Sequence, residues 1–311
     1  MRKSTFKGLK CVILENESIQ AIFLPDYGGK LASFIDKKRN KEWLFQSKEA
    51  SLEIPPYGAD FSAYDSSGFD DVFPSIDRCL CPESGKEVPD HGEVWALPWE
   101  METKNEILSL KVKSPVFPYI LCKDIRLKSN GLHFHYRVIN LDNERPFYYI
   151  WTPHALLHCS TSTEFLTESH MKTIMSVEHG SEHLGEWGTI HSYPLTTSIK
   201  TGDLLDLSKV EAVEAGNCEK YYFLEKAKSG KCGVKDMATG AFLMYEYPPE
   251  KIPYLAVWKT QGGYRGDYNI ALEPCTGVYD NLYVAHAIKK ASSVEPGRES
   301  SWWFEMKVGG E

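Results

Sequence analysis

Apolar and polar positions alternate with a period of two along much of this 311-residue chain, the pattern of strands with one buried face. Residues 11–14, 19–24 and 30–35 form three short alternating runs. Asn16-Glu17-Ser18 and Pro25-Asp26-Tyr27-Gly28-Gly29 separate them, which predicts an antiparallel meander. Further strands are predicted over 107–112, 119–127, 132–140 and 147–152, with Asn130-Gly131 as a hairpin turn. In 132–140, Phe134, Tyr136 and Val138 oppose His133, His135 and Arg137. Later strands are predicted over 221–225, 241–247, 255–260 and 302–308. In the last, Trp302, Phe304, Met306 and Val308 alternate with Trp303, Glu305 and Lys307.

Two stretches break the pattern. Residues 48–100 are rich in Pro, Gly, Asp and Ser, yet carry Tyr57, Phe61, Tyr64, Phe69, Phe73, Trp95 and Trp99. They read as structured loops over one face of a sheet. Residues 160–217 are also loop-rich. No amphipathic helix of normal length, repeat or composition-shifted linker is evident. The expected architecture is therefore all-β: one large antiparallel β-sandwich domain over residues 1–311.

The run Asn269-Ile270-Ala271-Leu272-Glu273-Pro274 organises the functional reading. Tyr268, Ile270 and Leu272 fall on one face; Asn269, Ala271 and Glu273 fall on the other. Glu273 then ends the strand, because Pro274 has no N–H for the ladder. A carboxylate on a rigid strand end suits a positioned acid or base, although this stretch taken alone reads more readily as an ordinary surface glutamate before a turn.

Composition narrows the class of ligand. Hydrophobic residues make up 42% and aromatic residues 13%, and flat rings suit both pleated sheets and the apolar faces of sugars. The net charge of −8, without a basic run, argues against nucleic acid and anionic membranes. The sequence shows neither a signal-type apolar run nor a membrane-spanning stretch, so a soluble, cytoplasmic protein is expected. Its 8 cysteines are scattered and read as small hydrophobes. Cys79-Leu80-Cys81 lacks the second pair that structural zinc requires.

Four groups of residues could carry chemistry. His91, in Asp90-His91-Gly92, has a glycine beside it that leaves room for a ligand; Asp90 either orients the ring or makes a turn. His154 follows an apolar strand and Pro153, and reads either as a functional residue or as a core histidine at a sheet rim. His179, His183 and His191, with Glu178, Glu182 and Glu186, match no metal spacing and read as a solvated loop. Asp70-Asp71 and Asp77-Arg78 sit where they can bond sugar hydroxyls or form loop ion pairs. No dinucleotide fingerprint, phosphate-binding loop or nucleophile elbow is present.

Taken in order, these motifs resemble the aldose 1-epimerase (galactose mutarotase-like) family. The match runs through Tyr27-Gly28-Gly29-Lys30-Leu31-Ala32-Ser33-Phe34, Gly68-Phe69-Asp70-Asp71-Val72-Phe73-Pro74, Asp90-His91-Gly92-Glu93-Val94-Trp95, His154, Leu272-Glu273-Pro274-Cys275-Thr276-Gly277 and the closing Val294-Glu295-Pro296-Gly297-Arg298-Glu299. The resemblance implies a β-supersandwich with an open sugar-binding cleft, no cofactor or metal, and a small sugar as partner, in a monomer or homodimer. It implies Glu273 as catalytic base, a protonated His154 as catalytic acid and His91 as a substrate-holding residue. Arg78 and Asp71 stand as the candidates for its substrate arginine and binding aspartate. The Asp-His-Gly loop continues Glu-Val-Trp, which departs from the Phe-Ala-Arg of the best-known mutarotases. The implied reaction is anomer interconversion of a hexose by acid–base ring opening. The alternatives are a hexose-6-phosphate 1-epimerase, which needs cleft Arg/Lys residues, and a non-catalytic carbohydrate binder on the same fold.

Overall fold

The computed structural model describes residues 1–178 and 181–310. Its N-terminal strands Arg2–Phe6, Leu9–Glu15, Ile19–Leu24 and Lys30–Asp36 form the expected antiparallel meander. The turn before Lys30 needs its glycines: Gly28 and Gly29 have φ of +63° and +58°, and a Cβ on Gly28 would lie 2.4 Å from the Trp95 carbonyl oxygen. Phe69–Val72 and Thr152–Ala155 continue this sheet, and Lys41–Glu42 pairs with Lys30–Asp36 to make seven strands.

An eight-stranded sheet is built in the order Thr163–Leu166, Lys231–Asp236, Phe242–Glu246, Glu299–Gly309, Gly131–Asn140, Tyr119–Lys128, Ile107–Lys113, Glu100–Lys104. A five-stranded sheet has the order Ile190–Ser192, Thr173–Ser176, Asn217–Phe223, Tyr254–Gln261, Tyr268–Cys275. Period-two alternation sends one set of side chains from each into a common core. Phe134 pairs across strands with Phe304, and Tyr136 with Trp302. Val12 and Phe23 from the seven-stranded sheet, and Tyr221, Val257, Ile270 and Leu272 from the five-stranded sheet, join the same buried cluster. Each such side chain, fully buried, contributes roughly 1.5–3 kcal/mol. The result is an all-β antiparallel sandwich, with the eight-stranded sheet packed over the inner faces of the other two.

The seven- and five-stranded sheets meet along a seam. Leu157 and Ile270 exchange backbone hydrogen bonds of 2.7 and 3.3 Å, and the Thr276 N–H donates to the Trp151 carbonyl at 3.0 Å. The seam sets the strand carrying His154 beside the strand carrying Glu273. Two details differ from the sequence reading. His154 lies inside the strand Thr152–Ala155, paired with Asp70, not past a strand end. The strand of Glu273 runs on through Pro274, which pairs with Leu255, to Cys275. Proline is tolerated there because this is the outermost strand of its sheet.

The stretch 48–100 is largely irregular, with short 3₁₀ turns at Phe61–Ala63 and Val94–Ala96 and a small hairpin of Cys79–Leu80 with Glu87–Val88. Among the described residues the one α-helix is the short Leu282–Ala287, and no helix is long and apolar enough to cross a membrane.

Candidate active site

The site follows from the alternation that builds the core. In Tyr268–Cys275, Ile270 and Leu272 point inward, so Asn269 and Glu273 point to the opposite face. In Asn217–Phe223 the inward residues are Tyr221 and Phe223, which turns Lys220 outward. Val257 faces inward and Trp258 outward, and the inward Ala155 and Leu157 turn His154 and Leu156 out. These outward residues floor a cavity of about 270 Å³. Loops close its sides with Phe61, Asp77, His91, Trp187, Tyr264 and Asp280. Glu273, His154 and His91 thus line one cleft.

His91 is held in an uncommon backbone conformation, with φ of +55°. Its N–H donates to the Ile76 carbonyl at 2.6 Å, and its ring stacks on Phe61 with centroids 4.0 Å apart and planes 10° apart. Asp90 faces His91 Nδ1 at 3.0 Å, and its other carboxylate oxygen accepts from the Phe61 N–H at 3.2 Å. Asp90 therefore orients the ring and ties it to its stacking partner. Burial pushes the Asp90 carboxyl up, but the facing His91 ring, the Phe61 N–H and the Arg78 charge together outweigh it, leaving a net downward shift. The edge of His154 meets the His91 ring at 5.2 Å and 87°.

His154 is buried, and burial pushes it well below the ordinary histidine value. The neighbouring His91, Lys220 and Lys30 act in the same direction. The ring is neutral near pH 7, where the sequence reading expected a protonated one. Glu273 is only 1% exposed, and burial raises its carboxyl above the usual range. Lys220 opposes that shift and Asp280 adds to it. Lys220 Nζ lies 3.4 Å from Glu273 Oε2 and 3.0 Å from Asp280 Oδ2. Burial works against the Lys220 charge, but Asp280 and Glu273 reverse it and raise the amine above the lysine range, so the cation of the cleft is Lys220. Asp280 is braced in turn: Tyr222 Oη donates to Oδ1 at 2.6 Å, and its carbonyl accepts from the N–H groups of Ile76 and Asp77 at 3.0 and 2.9 Å.

Two buried polar atoms of lining residues, His154 Nδ1 and Asn269 Oδ1, have no hydrogen-bond partner among the described residues, and Glu273 Oε2 makes no hydrogen bond beyond its 3.4 Å ion pair with Lys220. Buried polar groups are normally paired, so unpaired ones gathered on one cavity suit a polar ligand.

The remaining sequence candidates lie elsewhere. Asp71 shares the inward face of its strand with Phe69. It accepts from Lys123 Nζ at 2.6 Å and from Trp151 Nε1 at 2.9 Å, and does not line the cleft. Asp70 is buried against Lys30 at 3.0 Å. Arg78 is also outside the lining; its side chain is 56% exposed and lies 3.8 Å from Glu87. His179 lies outside the described residues. His183 bonds Ser198, and His191 bonds Thr196 and the Leu184 carbonyl. Among the described residues no cluster of His, Cys, Asp and Glu could hold a metal ion, and the eight cysteines are free.

Solved structures place this architecture. The chain is similar to a galactose mutarotase related enzyme from Lactobacillus acidophilus (15% identity, TM-score 0.69, covering 96% of this chain and 97% of that one). It is also similar to a galactose mutarotase-like protein from Clostridium acetobutylicum (13%, 0.66, 100% and 98%) and to a galactose 1-epimerase from Lactobacillus acidophilus NCFM (12%, 0.61, 99% and 98%). The chain has the galactose mutarotase-like fold. No protein-family model matches the sequence, and none of the curated proteins does. At these identities the likeness concerns the fold, and the chemistry has to be argued from the cleft.

Lys220, Asp280, Asn269 and Trp258 were not singled out in the sequence. Alternation does give a signal for Asn269, which shares the Glu273 face. Lys220 stands next to Tyr221-Tyr222-Phe223, and a charge bordering so apolar a strand marks the polar face of a buried sheet.

Proposed function

We propose that this cleft opens and recloses the pyranose ring of an aldose and so interconverts its anomers. The observation that carries the reading is the convergence of Glu273, His154 and His91 on one cavity with unpaired buried polar atoms. Glu273 takes the proton of the anomeric hydroxyl. The neutral His154 ring donates its N–H hydrogen bond to the ring oxygen, as a neutral imidazole does in other proton-transfer sites, and gives that proton up to it as the bond to C1 breaks. Glu273 then holds one proton more and His154 one fewer until the ring recloses. The C1–O bond breaks, the aldehyde carbon rotates, and closure from the other face reverses both transfers. Trp258 and Tyr264, in edge contact at 5.6 Å, offer apolar faces for the sugar ring.

The lining favours an uncharged sugar over a phosphorylated one. Phosphate capture needs a cation that is not already committed. Lys220 faces two carboxylates, and neither Arg78 nor Arg265 is among the residues that line the cleft.

The test is polarimetry, or NMR of anomeric protons, on fresh α-glucose and α-galactose with and without protein. Acceleration is expected, and Glu273→Gln should lower it by about 10²–10⁴-fold. Full activity in Glu273→Gln would rule out the assigned base. Sugar binding without acceleration, followed by tryptophan fluorescence, would favour the carbohydrate-binding alternative.

A further inference from the structure

We infer that Lys220 is the positioning residue of the base: locked between Asp280 and Glu273, its ammonium holds the Glu273 carboxylate charged and fixed for proton abstraction. The inference rests on the reading of Glu273 as base, and its test separates the two. Lys220 has no freedom to face elsewhere, because the inward side of its strand is filled by Tyr221 and Phe223. Its side chain is 10% exposed, and its two carboxylate partners come from different elements. Asp280 is the fixed end of the arrangement, held through Tyr222 and through the backbone N–H groups of Ile76 and Asp77. Glu273 Oε2 has no hydrogen bond, and among the described residues Lys220 alone lies within ion-pair distance of the Glu273 carboxylate. Removal of that one cation leaves a buried carboxylate facing other acids.

The other titratable groups that bear on Glu273 do not take over this role. Asp280 and Asp77 are acids and oppose its charge. His154 is neutral, and His91 is engaged with Asp90 at 3.0 Å. Tyr222 donates to Asp280, Cys275 to the Glu273 backbone carbonyl, and Tyr245 is a buried phenol. Glu178 and Asp267 are further acids on the wall. Two other roles for Lys220 fail on the same geometry. A Schiff-base nucleophile needs a neutral amine, and two carboxylates at 3.0 and 3.4 Å keep this one charged. A phosphate-holding lysine would have to give up both partners.

The experiment is a titration of the full chain labelled with ¹³C-carboxyl glutamate, the Glu273 resonance being assigned by its loss in Glu273→Gln. Lys220→Met should move the Glu273 midpoint to higher pH, Lys220→Arg should largely restore it, and Asp280→Asn should move it to lower pH. The acid limb of the anomerisation rate should move in the same three directions, and the Lys220→Met rate at neutral pH should fall about tenfold or more. A merely structural role gives no such opposed shifts. Unmoved midpoints, or shifts of the same sign in Lys220→Met and Asp280→Asn, would overturn the inference. If Lys220→Met does not fold, Lys220→Gln takes its place: an upward shift of the Glu273 midpoint supports the inference and an unmoved or lowered one overturns it. Opposed shifts in a protein that accelerates no sugar would uphold the lysine's hold on Glu273 and sink only the proposed reaction.

Discussion

Burial decides the protonation of His154, and this has a consequence for stability as well as for chemistry. The folded ring resists a proton that the unfolded chain accepts near pH 6.5. Below that pH the unfolded state holds more protons than the native state, so stability rises with pH and falls as the solution is acidified. The contribution of His154 is present above pH 6.5 and is lost as pH falls, at a slope approaching about 1.4 kcal/mol per pH unit. Replacement by an uncharged polar residue removes this term. Urea unfolding at pH 7 and pH 5 should therefore show a smaller acid-induced loss in His154→Asn than in the wild-type chain. Equal losses would mean that the native ring protonates freely, and the neutral-histidine step would have to be abandoned.

At the level of elements, the loop that presents His91 depends on a backbone that only glycine permits. Gly92 has φ of +72°, and a Cβ there would lie 2.0 Å from the Phe73 carbonyl oxygen. Gly92→Ala should cost at least about 2 kcal/mol and weaken sugar binding by displacing His91. Gly58 has a similar φ of +74° but open space around it, so Gly58→Ala should cost only about 1 kcal/mol and leave binding intact. Urea midpoints and fluorescence titrations of both variants check this. The same elements show what could be read beforehand. Alternation exposed the strands and the Glu273 face because each sheet buries one side. The position of Asp71 outside the cleft could not be read beforehand, because the strand Phe69–Val72 is only four residues long and sits among glycines and prolines. Its partners lie 52 and 80 positions away, and a local pattern carries no trace of them. Lys220 was passed over for a related reason. The strand was read as beginning at Tyr221, whereas pairing with Tyr254–Gln261 starts it at Asn217.

For the molecule as a whole, Asp71 clamps the two layers of the sandwich together. It stands on the seven-stranded sheet, and Lys123, from the eight-stranded sheet, reaches across to it at 2.6 Å and to the Gly29 carbonyl at 2.7 Å. Both side chains are nearly inaccessible, at 3% and 0% exposure. A buried pair of this kind contributes little net stability against an apolar pair of similar size, but breaking it strands a charge inside the core. Lys123→Met should therefore cost about 3–5 kcal/mol, and adding Asp71→Leu should recover much of that loss. The double variant, once folded, should bind sugar as the parent does, because neither residue lines the cleft. Arg78→Ala gives the matching control at the surface, with a stability change within about 0.5 kcal/mol and unchanged binding. Denaturation curves read the first expectation, and fluorescence titration with the same sugars reads the second. Weakened binding in a stable double variant would return Asp71 to the substrate, the role that the family resemblance implied for it.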